Sequence, residues 1–163
     1  MAQRTTIDEI DARLLELLQA DGRRSFADLG SIVGLSGPSV HERVKKLESR
    51  GVISRYAAVV EPAAAGFPLL AFVWLTQAPG SAGADLTVVF ADIPEIEECH
   101  HIAGEADYLL KVRARDTAHL ERVVRALQAT RHVFTTETSV VFSSAFERRP
   151  LPPAAEPDGP DET

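Results

Sequence analysis

The segment LSGPSVHERVKKLESRGVISRY, residues 35–56, has the pattern of a helix and is rich in basic residues. Its Ser-Gly-Pro opening is typical of a helix N-terminus, where the N–H that proline lacks has no partner to lose. Val40, Val44 and Leu47 repeat at helical spacing and predict one buried stripe. Gly51 is suited to end that helix. Five basic residues stand against two acidic ones here, although the whole chain has a formal net charge of −7.

Two further helices are predicted ahead of this segment. Thr6 and Glu9 have the spacing of a capping box, and Ser25 with Asp28 opens the next helix in a similar way. A very short connection, GLS at 34–36, leads into the basic helix. Apolar residues recur at helical spacing in both helices: Ile10, Leu14, Leu17 and Leu18 in the first, and Phe26, Leu29, Ile32 and Val33 in the second.

Three short helices with a tight final connection predict a helix-turn-helix domain over residues 1–56, whose last helix enters the major groove of DNA. VISRYAAVV, which follows, has strand character and indicates a winged-type domain. The alternative interpretation of the basic helix alone is a solvated surface; its place in the helix pair favours DNA contact. The residues predicted to reach phosphates or base edges are Ser36, Pro38, Ser39, His41, Arg43, Lys45 and Lys46.

Charge and composition indicate two domains with different tasks. Residues 1–56 contain nine Lys and Arg against eight Asp and Glu, a net +1, whereas the remainder contains eight against sixteen, a net −8.

The single cysteine, Cys99, excludes an internal disulfide and a cysteine-rich zinc site. The N-terminus lacks the apolar core of a secretory signal, and FPLLAFVWL is too short to span a bilayer. We therefore expect a cytoplasmic protein without a membrane partner.

The pattern after a linker at 57–66 predicts a β-α-β-β-α-β order over residues 67–146, the ferredoxin-like unit of an α+β protein. Strands are expected at 67–75 and 133–142, on a sheet whose helices cover one face only. The other face then requires cover, and a second copy of the chain is the natural source. The proline-rich segment 147–163 has no core-forming pattern and is predicted to be disordered.

In these segments the chain resembles the Lrp/AsnC family of leucine-responsive, feast/famine transcriptional regulators. IDEIDARLLELLQADGRRSFADLG, VGLSGPSVHERVKKLESRGVISRYAAVVEPAAAG and HHIAGEADYLLKV carry the resemblance, over about residues 6–146. It implies an N-terminal DNA reader, a RAM- or ACT-like C-terminal domain that senses an amino acid, and dimers that join as an octamer of four dimers. Gly37-Pro38 departs from the more usual polar start of the recognition helix.

The resemblance also implies an effector site between dimers, near the loop joining the second and third strands of the ferredoxin-like domain. That loop is AGEADYLL here, in which Gly104 allows close backbone approach and Asp107 is suited to accept the ammonium of an amino acid. The threonines of the last strand are further candidates, since alternate residues of a strand share a face. The full set of expected effector contacts is Gly104, Glu105, Ala106, Asp107, Tyr108, Thr135, Thr136, Glu137 and Ser139.

Other functions are weaker interpretations of the same residues. An architectural protein that organises DNA with little sequence preference would share the helix-turn-helix. An enzyme on the ferredoxin-like fold is disfavoured because no nucleophile, base and acid converge in the pattern. His100 and His101 are adjacent and point to opposite faces of a strand, which disfavours a metal site. We expect no cofactor, apart from the amino-acid effector.

Overall fold

The computed structural model describes residues 7–81 and 85–154, which divide into two compact units. The first unit contains residues 7–58 together with residues 146–154, and the second contains the described part of residues 59–145. Each unit has its own hydrophobic core.

The first unit contains the three predicted helices: α1 at Glu9–Ala20, α2 at Phe26–Val33 and α3 at Gly37–Ser49. The start of α1 corrects the predicted capping box. Asp8 is the N-cap, and its carboxylate accepts a hydrogen bond from the Asp11 N–H at 2.7 Å. Asp8 lies directly before the helix, where a short carboxylate reaches the free N–H groups of the first turn. Thr6 lies outside the described residues.

The turn between α2 and α3 depends on two glycines. Gly34 has a φ of 73°, in the left-handed region that glycine adopts readily. The Leu35 N–H donates to the Gly30 carbonyl oxygen at 2.9 Å and folds the chain back across the end of α2. A Cβ on Gly30 would overlap the Leu35 carbonyl oxygen, so the close approach of the turn requires glycine there.

Apolar side chains from all three helices form the core of the first unit, but Phe26 and Ile32 of α2, which the spacing predicted to face inward, are exposed. Leu14, Leu29 and Val40 are fully buried, and Val44 is 1% exposed. The stripe on α3 therefore faces inward and leaves the charged faces of that helix outside.

The predicted wing is not present among the described residues. No strand forms at 52–60, because a strand requires a hydrogen-bonded neighbour and the only sheet in the described structure is that of the second unit. Tyr56 instead lies beside Gly22. Partial burial, together with the interaction with the Glu48 carboxylate, raises the pKa of Tyr56 to about 12. Tyr56 thus contacts the helical part of the unit where the chain leaves it.

The second unit has the predicted β-α-β-β-α-β order, with strand ends that differ from the prediction. The elements are β1 at Leu69–Gln77, α4 at Leu86–Ala91, β2 at Ile96–His101, β3 at Tyr108–Ala114, α5 at Thr117–Gln128 and β4 at Val133–Val140. The sheet order is β2-β3-β1-β4, with every neighbouring pair antiparallel. Phe142 was predicted within the last strand but lies beyond it: β4 ends at Val140, and the Val141 N–H donates a further hydrogen bond to the Leu70 carbonyl oxygen at 2.9 Å.

One face of the sheet packs on α4 and α5, and no helix in the described part of this unit covers the other. The packed face holds Val73 and Leu75 of β1 with Leu110 of β3, all fully buried. The strand register places Phe72 and Trp74 on the opposite face, which we call the open face. Alternation along β3 between these two faces follows the sequence pattern.

Residues 147–154 belong to the segment predicted as disordered. They are described and form no helix or strand, while residues 155–163 lie outside the described residues.

The longest helix in residues 7–81 and 85–154 has 13 residues, and none there has the length and hydropathy required to cross a bilayer.

Candidate nucleic-acid interface and ligand-binding loop

The N-terminus of α3 presents two serines and a proline at an exposed surface. Ser36 is the N-cap, and its hydroxyl oxygen accepts from the Ser39 N–H at 3.3 Å. The two hydroxyl oxygens lie 2.8 Å apart and share a hydrogen bond. Pro38 lies in the first turn, where its fixed φ favours the helix. These three predicted contacts therefore share a short, polar and preorganised surface.

The positive charge of α3 lies around one open groove. Lys45, Lys46 and Arg50 are exposed and line it together with Ser49 and Glu42. The groove has a volume of about 800 Å³ and is bounded on the α1 side by Asp8 and Asp11. We call its α3 side, formed by Lys45, Lys46, Ser49 and Arg50, the basic face. Lysine and arginine side chains at this density suit contact with phosphate groups.

Arg43 is held by carboxylates of α1 rather than presented freely to DNA. Its Nη1 lies 2.6 Å from Asp8 Oδ2 and 2.7 Å from Asp11 Oδ1. The bonds to Asp8 and Asp11 raise the pKa of the Arg43 guanidinium. Burial alone would raise the pKa of Asp8, but the bonds from the Asp11 N–H and Arg43 outweigh it and hold that pKa below its ordinary value. Arg43 thus joins α3 to the start of α1.

His41 lies on the exposed side of α3 beside an aromatic ring of α2. Its ring centroid is 5.1 Å from that of Phe26, and its Nδ1 is 3.8 Å from a Glu42 oxygen. The imidazole is half exposed, so it remains available to a base or a phosphate.

The loop between β2 and β3 is braced by Asp107. The Asp107 N–H donates to Leu75 O at 2.9 Å, and the Ile102 N–H donates to Asp107 O at 2.9 Å. The Asp107 carboxylate accepts from the Gln77 N–H at 2.7 Å through Oδ2. Through these bonds Asp107 ties the loop to the end of β1.

The remaining loop residues differ in accessibility. Gly104 and Glu105 are exposed, and a Cβ placed on Gly104 would meet nothing within 4 Å. Tyr108, by contrast, is 5% exposed and packs edge-on against Phe90 in the core. Burial raises the pKa of the Tyr108 hydroxyl. The Tyr108 side chain is therefore a support for the loop rather than an open ligand contact.

The β4 candidates divide between the two faces of the sheet. Thr135, Glu137 and Ser139 pair with Thr76, Trp74 and Phe72 and share the open face, as the alternation predicted. Thr136 lies on the helix face, where its hydroxyl accepts from Gln128 Nε2 at 2.8 Å. Leu75 of β1 stands between Tyr108 and Thr136, so the loop and β4 are two strand spacings apart, about 10 Å. Within one chain they do not close around one small ligand.

The two histidines of β2 separate as expected. His100 Nε2 lies 3.0 Å from Glu98 Oε2 on the open face, and the His101 ring stacks on Tyr108 on the other, with centroids 5.0 Å apart. No group of three metal-binding side chains occurs in the part of the chain that the structure describes.

Two charge clusters were not predicted from the sequence. Asp8 and Asp11 were not predicted as partners of Arg43. The two carboxylates lie one helical turn apart at the start of α1, and this spacing could have indicated a site for a basic side chain. On the open face, Lys111 is 7% exposed and its Nζ lies 3.1 Å from Glu97 and 3.2 Å from Glu98. Charges buried to this extent are found paired. The alternating pattern of β3 places Lys111 on a face of the sheet, but it does not predict which carboxylates pair with it.

Comparison with known proteins agrees with both units. Two family models match: the AsnC-type helix-turn-helix domain over residues 7–48, and the Lrp/AsnC ligand binding domain over residues 70–151. The HTH-type transcriptional regulator LrpA of Mycobacterium tuberculosis is 36% identical over 146 residues, 90% of this chain and 97% of that protein. FL11 of Pyrococcus horikoshii, also an HTH-type transcriptional regulator, is 30% identical over 149 residues, 91% and 98% of the two chains.

A similar solved structure is that of a feast or famine regulatory protein of M. tuberculosis complexed with L-methionine. It matches with a TM-score of 0.86 and 35% sequence identity, and covers 91% of this chain and 100% of that one.

Proposed function

The chain belongs to the Lrp/AsnC family of transcriptional regulators, and from this premise we propose how its residues perform that function. The first unit reads DNA with α3, and the second binds an amino acid whose presence changes DNA binding. Lys45 and Lys46 contact phosphates, while the start of α3, with Ser36, Pro38, Ser39 and His41, approaches base edges. Arg43 acts indirectly by holding α3 against α1.

The single observation that supports the DNA proposal is that different faces of α3 make different contacts. Its apolar stripe is buried, Arg43 is engaged by Asp8 and Asp11, and Lys45 and Lys46 remain exposed on the basic face. The acidic total of the chain is compatible with this, because charges beyond about 8–10 Å are largely screened at physiological salt. A regulator of this kind acts on chromosomal DNA, and we place it in the cytoplasm.

The test is the salt dependence of DNA affinity. Replacing both Lys45 and Lys46 by Ala should weaken binding to every sequence and reduce the slope of log affinity against log salt by about two units for each bound protomer, or about four for a dimer on paired half-sites, because each phosphate contact contributes about 0.9. The matched control is Arg13→Ala with Arg122→Ala, which removes the same charge from other helices. A folded double-lysine variant with the wild-type slope would remove these residues from the interface.

For the effector we propose an amino acid bound at the β2–β3 loop. Asp107 Oδ1 would accept the ammonium, and the loop backbone around Gly104, Glu105 and Ala106 would approach the carboxylate. The complex of a similar protein with L-methionine supports this chemical class. Because β4 is about 10 Å from the loop within one chain, Thr135, Thr136, Glu137 and Ser139 would contribute from a neighbouring copy or serve the assembly instead.

For the assembly we propose a homodimer formed through the open face of the sheet. Phe72 and Trp74 lie on that face with Leu109, and no helix of the described chain covers them. Burying aromatic side chains of this size is strongly favourable. The family resemblance supports the larger proposal that four such dimers join into an octamer.

A further inference from the structure

We propose that the acidic segment 155–163, AEPDGPDET, docks on the basic face of α3 and competes with DNA for it. The inference rests on the proposed DNA contact of that face and adds a segment of the same chain that competes with DNA for it. Three properties carry it: where the preceding segment is attached, how far the chain reaches, and the charges at the two ends of the contact.

The attachment point lies on α1. Residues 146–154 group with the helices of the first unit rather than with the sheet they follow in the sequence. Gln19 Nε2 donates to the Leu151 carbonyl oxygen at 3.0 Å. Upstream of this bond the Arg149 guanidinium lies 5.7 Å from the centre of the Phe146 ring. Segment 155–163 therefore starts from the side of the unit that carries α1.

The reach of the chain is sufficient. Gln19 is eleven residues from Asp8, which bounds the groove, a distance of about 17 Å along the helix axis. An extended chain advances about 3.3 Å per residue, so Glu156 lies within about 17 Å of Leu151 and Glu162 within about 36 Å. Pro157 and Pro160 favour extended backbone. The maximum reach of the chain therefore brings Asp158, Asp161 and Glu162 within range of the groove.

The charges are complementary. Segment 155–163 contains Glu156, Asp158, Asp161 and Glu162 and no basic residue. The basic face presents Lys45, Lys46 and Arg50, with Glu42 nearby, while the carboxylates of Asp8 and Asp11 are already bound by Arg43. Carboxylates spaced along an extended chain present to these cations the kind of negative charge that DNA phosphates do.

The consequence is a weaker and more tunable affinity for DNA. A tether of this length holds its own ligand at an effective concentration in the millimolar range. A contact with a millimolar dissociation constant therefore occupies the face about half of the time and lowers the apparent DNA affinity about twofold, and a tighter contact lowers it in proportion.

A spin label tests the contact without DNA. The full chain carries Cys99→Ser and Thr163→Cys with a nitroxide on the new thiol, and amide signals are recorded by NMR. The label should broaden the signals of Lys45, Lys46 and Arg50 at low salt, and high salt should relieve the broadening because screening weakens the attraction. If the signals of α3 keep their width at low salt, the docking proposal is wrong, whatever the protein does with DNA.

Competition is tested on a random-sequence DNA duplex. The variant Asp158→Asn/Asp161→Asn/Glu162→Gln should bind at least about twofold more tightly than wild type at low salt, and the difference should close at high salt. The control Glu61→Gln/Asp92→Asn/Glu121→Gln removes the same charge elsewhere. Equal gains in both variants would trace the effect to net charge and overturn the proposal. If neither the wild type nor any variant binds DNA, the proposed function is wrong. The spin-label experiment, which uses no DNA, would then still test the docking.

Discussion

Arg43 is the residue through which α1 and α3 hold one another. Asp11 is 8% exposed, so replacing Arg43 by Ala leaves a nearly buried carboxylate without its cation. Since Arg43 itself is one-third exposed, we expect the free energy of unfolding to fall by about 1–3 kcal/mol, less than for a fully buried pair. Thermal and urea unfolding measure the loss. Arg50→Ala, on the same helix, should change it by no more than about 0.5 kcal/mol.

The same ion pair gives the loss a pH dependence. Folded Asp8 has a pKa below its ordinary value of 3.8, so the unfolded chain binds its proton more tightly. Its contribution is therefore fully present above pH 3.8 and disappears as the pH falls through the lower folded value. The stability difference between wild type and Arg43→Ala should shrink below about pH 4. A difference that stays constant from pH 7 to pH 3 would contradict the assignment of Arg43 to Asp8.

Asp107 combines a structural role with a proposed ligand role, and two substitutions separate them. Asp107→Asn keeps an oxygen for the Gln77 N–H but removes the charge, whereas Asp107→Ala removes both. A charge-assisted bond contributes about 1.5–3 kcal/mol, so the Asn variant should bind the effector about ten- to a hundredfold more weakly with little loss of stability. The effector is identified first, as the amino acid that raises the melting temperature of the protein, and calorimetric titration with it then measures the affinity. Asp92→Asn is the control, and equal affinities in wild type and Asp107→Asn would remove Asp107 from the site.

At the scale of elements, the α2–α3 turn is the least tolerant connection. Gly30→Ala would drive a methyl group into the Leu35 carbonyl oxygen, and the resulting shift of the turn should cost about 1–3 kcal/mol. Gly37→Ala is the matched control, because its Cβ would meet only ordinary contacts beyond 3.5 Å. The free energy of unfolding by urea tests the pair. A Gly30→Ala protein as stable as Gly37→Ala would show that the turn has more room than its geometry indicates.

Element by element, the sequence predicts what is decided locally. Val40, Val44 and Leu47 repeat at the helical period and are buried, and Tyr108, Leu110 and Val112 alternate and share the packed face. The strand expected at 52–60 has the right composition, but a strand also requires a neighbour, which composition cannot supply. Arg43 shows the same limit at the site, since its partners lie more than thirty residues away.

At the scale of the whole molecule, the dimer that we propose on the open face would link assembly to DNA reading. Trp74→Glu would place a charge on a surface that we propose is buried between two copies, and should dissociate the dimer in sedimentation experiments. DNA affinity should fall with it, because paired half-sites require paired readers. Val88→Glu, on the exposed side of α4, is the control. A monomeric Trp74→Glu protein with undiminished DNA affinity would break this link.

The most direct test of ligand-responsive, sequence-specific regulation is a footprint of the full chain on genomic DNA selected by binding, with and without each of the twenty amino acids. We expect discrete protected sites, with half-sites spaced by about one helical turn or multiples of it. We also expect at least one amino acid to shift the half-saturation of those sites by about fivefold or more. Continuous protection that follows no sequence and responds to no amino acid would contradict regulation of this kind and favour an architectural protein.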